Sequence, residues 1–229
     1  MDILQVSNVN KSFNGKKIID DISFSVPEGK IVGLLGKNGS GKTTIIKMIC
    51  DLYTIDSGEI LLCGQKIGPS TKAMVSYLPE RTYLDNEKTV KQIFDYFADF
   101  YADFNRQKAE KLLSDLELED NVKLAKMSKG MKEKIQLVLV MSREAKLYIL
   151  DEPLGGVDPV TRDYILKTII SNLADGASLV ITTHLIADVE NILDEVIFID
   201  KGKLVLYKNA DELRQEHNAS INDIFRRTI

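Results

Sequence analysis

Two short segments of this chain carry residues whose types and spacing can do chemistry together. The first, Gly36-Lys37-Asn38-Gly39-Ser40-Gly41-Lys42-Thr43, fits the pattern G-x-x-x-x-G-K-[ST] without a mismatch. Gly36, Gly39 and Gly41 let the backbone wrap closely around phosphates, in conformations that a side chain would forbid. Amide groups of that loop, from Asn38 to Thr43, then point inward, and the N-terminus of a following helix adds partial positive charge. Lys42 reaches the β- and γ-phosphates as a point charge, and the Thr43 hydroxyl ligates Mg²⁺. The second segment is Asp151-Glu152, which ends the apolar run Leu147-Tyr148-Ile149-Leu150. Adjacent acids repel one another unless a cation is near. A metal gives both a reason: Asp151 holds it through water, and Glu152 polarises the attacking water as general base. The implied chemistry is transfer of a phosphoryl group from a bound nucleoside triphosphate to water.

Such a loop works only after a buried strand and at the start of a helix. Ile31-Val32-Gly33-Leu34-Leu35 is the short apolar run expected of a strand inside a parallel sheet, and an amphipathic helix follows from about residue 41. Upstream, residues 3–9 and 18–26 alternate around Asn14-Gly15, which predicts two antiparallel strands. A further strand is expected at 59–63. Residues 147–150 and 178–182 predict strands, 159–174 and 185–193 helices, and 195–199 with 203–207 a hairpin turning at Lys201-Gly202. Between these lie residues 89–118, dense in helix formers and free of Gly and Pro, and a helix at about 130–145. The pattern predicts an α/β fold: a P-loop NTPase core with a parallel sheet, an N-terminal antiparallel β subdomain, and a helical subdomain inserted at about 85–145 in a single domain of residues 1–229.

Composition sets bounds. The chain has 229 residues, 44% hydrophobic and 28% charged, enough for one full core. Its formal net charge of -4 offers no overall field for nucleic acid, so no nucleic-acid partner is expected. Residues 1–10 lack the charged-then-apolar profile of a signal peptide, and no apolar run approaches the ~20 residues that span a bilayer. The two cysteines, Cys50 and Cys63, have no metal or redox spacing and read as buried, reduced thiols. His217 has no motif around it and reads as a solvated helix residue.

The order of these features resembles the ATPase domain of ABC transporters over nearly the whole chain. Phe13 stands where that family places the aromatic that stacks on adenine. Met127-Ser128-Lys129-Gly130-Met131 occupies the place of the family signature, usually L-S-G-G-Q. Gly155-Gly156-Val157-Asp158 matches the loop after the acid pair, and Thr183-His184 ends a strand where the family has its switch histidine. The resemblance implies that Thr44 donates to the α-phosphate. It also implies that Ser128 and Gly130 serve the nucleotide held by an opposite subunit, so that two ATP molecules are sandwiched between two such domains.

Two departures matter. Lys129 replaces the first signature glycine and Met131 the glutamine, which bears on hydrolysis rate, while Ser128 and Gly130 remain. In Tyr77-Leu78-Pro79-Glu80, Glu80 stands where most relatives place a glutamine that contacts Mg²⁺ or its water. This glutamate, with Ser128-Lys129-Gly130-Met131-Lys132-Glu133-Lys134, is similar to bacterial exporters of antimicrobial peptides, whose membrane permeases are separate polypeptides. The aromatics Phe94, Tyr96, Phe97, Phe100, Tyr101 and Phe104 are expected mainly as core of the helical insert, with Phe97, Phe100, Tyr101 and Phe104 on one helical face; exposed members would border the site that receives the permease. The resemblance implies a cytoplasmic subunit, peripheral at the inner face of the membrane, powering export of a peptide or drug. Two alternatives are an ABC ATPase uncoupled from any membrane and a module that senses ATP without cleaving it.

Overall fold

The computed structural model describes residues 1–155 and 157–229, apart from the side chain of Val160; Gly156, part of the segment after the acid pair, lies outside the described residues. Strands β1 (Asp2–Phe13) and β2 (Lys16–Pro27) pair antiparallel around Asn14-Gly15. After β3 (Ile31–Leu35) and helix α1 (Lys42–Ile49), strand β4 (Ser57–Leu62) returns to the free edge of β1 and carries the short β5 (Gln65–Lys66), giving a four-stranded antiparallel sheet. The second sheet unites β3 with β6 (Val75–Leu78), β7 (Leu147–Asp151), β8 (Ser178–Thr183), β9 (Glu195–Asp200) and β10 (Lys203–Asn209). Its order is β10-β9-β3-β8-β7-β6, parallel throughout except for β10.

Alternation along the central strands divides the core in two. Leu147 and Ile149 of β7, with Val32 and Leu34 of β3, face α1 and the antiparallel sheet. Tyr148 and Leu150, with Leu35, Leu179 and Ile181, face the helices on the other side. Both faces are covered, so β3 and the first four residues of β7 read as near-continuous apolar runs, and β8 buries Leu179-Val180-Ile181 between Ser178 and Thr182. Helix α1 is thereby clamped between the sheets through Ile45, Ile46, Met48 and Ile49.

The remaining helices are α2 (Pro69–Lys72), α3 (Val90–Phe100), α4 (Arg106–Asp115), α5 (Lys129–Met141), α6 (Pro159–Ser171), α7 (Ile186–Val189), α8 (Ala210–His217) and α9 (Ile221–Thr228). Helices α3 to α5 fall between β6 and β7 in the chain. The helix-rich stretch 89–118 holds two helices. Thr89 opens α3 in a capping box with Gln92, whereas Tyr101 is extended and Asn105 caps a new helix through the Lys108 N–H. Phe97, Phe100, Tyr101 and Phe104 do not share one helix, because α3 ends at Phe100, yet their rings stay in contact: between ring centres, Phe97 lies 5.4 Å from Tyr101 and 5.7 Å from Phe104, and Phe100 lies 4.8 Å from Tyr101. Phe94, Phe97 and Phe104 are buried together, whereas Phe100 is 65% exposed and also stacks on exposed Tyr96. Cys63 likewise differs from expectation: it is exposed after β4, and only Cys50 is buried, which pushes its thiol up to about 12. The stretch 185–193 holds only the four-residue α7 and a short 3₁₀ turn. His217 is exposed at the end of α8 as expected.

One buried cation ties the α3–α4 connection to the sheet. Arg143 donates through Nε and Nη2 to both oxygens of Asp103, at 2.9 Å each, and through Nη1 and Nη2 to the carbonyls of Val75 and Ala73 at 2.7 Å. Its guanidinium also lies 3.9 Å from the centre of the Tyr101 ring. Replacing it strands Asp103 and two carbonyls. We expect Arg143→Met to lower unfolding free energy by about 3 kcal/mol in urea titrations; a loss below about 1 kcal/mol would show that the cluster does not hold the insert.

Candidate functional site

The phosphate loop joins β3 to α1, where sequence placed it. Gly36 must lack a side chain because a Cβ there would lie 2.4 Å from the Ile199 carbonyl oxygen of β9. Gly41 takes φ 110°, a left-handed backbone that turns the chain into the first turn of α1. The turn after β9 supports the loop from below: the Gly202 N–H donates to the Ser40 carbonyl at 2.9 Å. Lys42 is 6% exposed, and its ammonium donates to the Gly36 carbonyl at 2.7 Å and the Lys37 carbonyl at 3.3 Å. Burial pulls its pKa below the ordinary lysine value, and the charges of Glu152, Asp151 and Glu80 pull the other way.

Those acids arrive from neighbouring strands. Asp151 ends β7 and is paired in register with Thr182 of β8. The Thr182 hydroxyl donates to Asp151 Oδ1 at 2.6 Å, and Thr43 from the phosphate loop donates to the same oxygen at 3.4 Å. Asp151 Oδ2 is buried without a hydrogen-bond partner. Glu152 has φ 53°, left-handed for a residue with a full side chain, which is strain of a kind that gathers at functional sites. Its N–H is held by the Thr182 carbonyl at 3.0 Å and hydroxyl at 3.1 Å. Its Oε2 lies 2.8 Å from Nδ1 of His184 and also accepts the His184 N–H at 3.3 Å. The parallel register therefore delivers Asp151, Glu152 and His184 to one edge of the sheet, the edge where ligands sit in such folds.

A cleft of about 1250 Å³ runs along that edge. Asn38, Gly39, Gly41, Lys42, Thr43, Thr44, Glu80, Glu152 and His184 all line it. Gly36, Ser40 and Asp151 support it from the loop and strand beside it. Four expected residues stand apart. Phe13 packs edge-on against Tyr53, ring centres 5.2 Å apart, outside the cleft lining. Ser128 caps α5 by accepting the Met131 N–H at 3.2 Å, and Gly130 follows in the first turn with open space at its Cα. Asp158 caps α6 by accepting the Thr161 N–H at 3.1 Å. Sequence reading assigns no role to Thr182, Arg81 or Thr82; the last two line the cleft, as does Lys132 of the run 128–134. Thr182 was open to inference, since it is the parallel-register partner of Asp151 and directly precedes the named Thr183-His184.

Asp151 has the character of a metal-binding carboxylate. It is 1% exposed and has no ion-pair partner among the described residues, and the Thr43 hydroxyl shares its oxygen. Among the described residues no cluster of three or more His, Cys, Asp or Glu forms a cage of its own. A hydroxyl, one carboxylate and ligand phosphates are the donors Mg²⁺ takes in nucleotide sites, so the residues fit that ion.

Comparison with known proteins agrees with this geometry. The family model described as ABC transporter matches residues 19–155. The chain is 32% identical to the ABC transporter ATP-binding protein YtrB of Bacillus subtilis (strain 168), over 94% of this chain and 75% of that protein. It is 33% identical to the Nod factor export ATP-binding protein I of Burkholderia orbicola (strain AU 1054), over 86% of this chain and 68% of that protein. A solved ATP-binding subunit of an ABC transporter superposes with a TM-score of 0.90 at 28% identity, covering 99% of each chain. With its α/β fold and phosphate cleft this is an ATP-binding domain. The chain belongs to the ABC transporter family, whose ATP-binding domains bind and hydrolyse ATP to power transport.

Burial holds the Asp151 carboxyl above its ordinary pKa, with Thr182 and Thr43 opposing and Glu152 and Glu80 reinforcing the shift. A carboxyl raised in the fold contributes stability that is complete in acid and is lost as pH rises through the raised value. Above that value the ionised group therefore burdens the nucleotide-free fold. We expect Asp151→Asn, measured at pH 7 in EDTA without nucleotide, to raise the thermal midpoint; a lowered midpoint would contradict this picture of the site.

Proposed function

We propose that the chain is the ATP-hydrolysing subunit of an exporter, acting as a single unit on a separate membrane permease. The observation that carries this reading is the Glu152–His184 pair, 2.8 Å apart, lining the same cleft as Lys42 and Thr43. Amides of the loop 36–43 cradle the triphosphate, Thr44 adds a donor to the α-phosphate, and Phe13 stacks on the adenine. Lys42 turns from the Gly36 carbonyl to the β- and γ-phosphates. Thr43 and Asp151, with Glu80, would hold Mg²⁺, which would supply charge neutralisation on the phosphate oxygens. Glu152, oriented by His184, takes a proton from the water that attacks the γ-phosphorus, and ADP leaves.

Ser128 and Gly130 do not line the cleft of their own chain, yet they sit at an open helix N-terminus suited to anions. This supports a dimer in which each chain completes the other's site, with Asp158 near the shared face. Residues 85–145 form the arm that meets the permease, and exposed Tyr96 and Phe100, with Tyr83 just before the arm, support a docking surface there. Among the described residues no helix is long and apolar enough to cross a membrane, which supports a peripheral subunit on the cytoplasmic side. The relative named for Nod factor export supports export, and Glu80 with the altered signature supports a peptide or drug as cargo.

Glu152→Gln should lower ATP turnover at least ~100-fold while nucleotide still binds. A wild-type rate in a phosphate-release assay would remove the general-base role. Lys42→Ala should abolish ATP binding in calorimetry; unchanged affinity would contradict its place at the phosphates.

A further inference from the structure

A second cavity, of about 30 Å³, lies between α5 and the C-terminal ends of β6 and β7. Gln136 of α5 lines it together with Asp151 and Glu152. Gln136 is 2% exposed, flanked in sequence by buried Ile135 and Leu137, and its Nε2 has no hydrogen-bond partner. The other lining residue with an unpartnered buried atom is Asp151, at Oδ2. The two atoms are complementary: an amide nitrogen with protons to donate and a carboxylate oxygen able only to accept. Buried polar groups in folded proteins are satisfied by protein or by ordered water. The cavity exceeds the ~10–15 Å³ that one water requires. Its other carboxylates, Glu80 and Glu133, do not converge with the acid pair into a cation cage.

We propose that Gln136 is a positioning residue for the acid pair, holding Asp151 Oδ2 through a water in this cavity. The water accepts from Gln136 Nε2 and donates to the carboxylate, fixing the plane of Asp151 while Oδ1 faces Thr182 and Thr43. The proposal rests on the assignment of Asp151 and Glu152 to hydrolysis made above. Its consequence is mechanical. Gln136 stands about two turns along α5 from Ser128, so the helix that presents Ser128 and Gly130 at the surface also contacts the acid pair at its core. A shift of α5 is then felt at Asp151 without any change in the phosphate loop.

Two readouts test it. A high-resolution crystal structure of the wild-type chain without nucleotide should show a water within hydrogen-bonding distance of both Gln136 Nε2 and Asp151 Oδ2; a dry cavity overturns the proposal. Kinetically, Gln136→Met keeps the length and apolar packing of the side chain but removes the donor. Its kcat should fall about tenfold with KM for ATP within about twofold, and Gln136→Glu, similar in shape and without the amide donor, should fall at least as far. A packing role alone leaves the Met variant at wild-type kcat, which overturns the proposal. Asp151→Asn is measured beside them. If it loses turnover while Gln136→Met does not, only the Gln136 assignment fails; if it too keeps wild-type turnover, the reading of the acid pair fails with it.

Discussion

A lysine ammonium held out of water between loop carbonyls and carboxylates is the interaction around which this protein is organised. Lys42 has lost most of its hydration; two backbone carbonyls accept from its ammonium, and the fields of Glu152, Asp151 and Glu80 oppose the burial that lowers its pKa. An ammonium in that position is satisfied only in part by neutral carbonyls. Phosphate oxygens offer it full charge, which gives the free site a standing preference for a polyanion. The acids cannot be read apart from it. Asp151 carries a desolvation cost of its own, so lysine and carboxylate are each kept at a disadvantage that a metal-bound triphosphate relieves.

The arrangement exists because of the sheet. β3, β8 and β7 lie side by side and parallel, so their C-terminal ends deliver the phosphate loop, Thr182 to His184, and Asp151-Glu152 to a single edge. Thr182 is the pivot: its hydroxyl donates to Asp151, and its carbonyl and hydroxyl both receive the Glu152 N–H. The same strand then continues to His184, which closes on Glu152. Below the loop, β9 approaches so closely that Gly36 admits no side chain, and Gly202 bonds to Ser40. Clamping of α1 between two sheets removes the remaining freedom of the loop.

Much of this was legible from residue types. The bounds of β3, β7 and β8 are legible within one residue: strands covered on both faces leave near-continuous apolar runs in β3 and β7, and β-branched residues mark Val180 to Thr183 in β8. The phosphate loop was legible because few sequences satisfy so many backbone demands at once. β6 escaped notice: it has four residues, lies at the sheet edge and contains a buried serine, whose hydroxyl is satisfied by the Val140 carbonyl far along the chain. The break between α3 and α4 was hidden for a related reason. The break holds no Gly or Pro to mark it; Asn105 caps the new helix locally, and the rest of what turns the chain is tertiary, from Arg143 gripping Asp103 to the Asn105 N–H bonded to the Ser142 carbonyl. Gln136 carries no signal in the sequence, since it gains its meaning only from an atom on another element.

The central claim is that Lys42 exchanges loop carbonyls for phosphate while Thr43 and Asp151 accept a metal. A crystal structure with Mg²⁺ and a non-hydrolysable ATP analogue tests it most directly. The account requires the Lys42 ammonium to leave the Gly36 carbonyl for β- and γ-phosphate oxygens, with the ion between the Thr43 hydroxyl and the Asp151 carboxylate. A triphosphate bound elsewhere in the cleft, with Lys42 still folded onto Gly36, would contradict it.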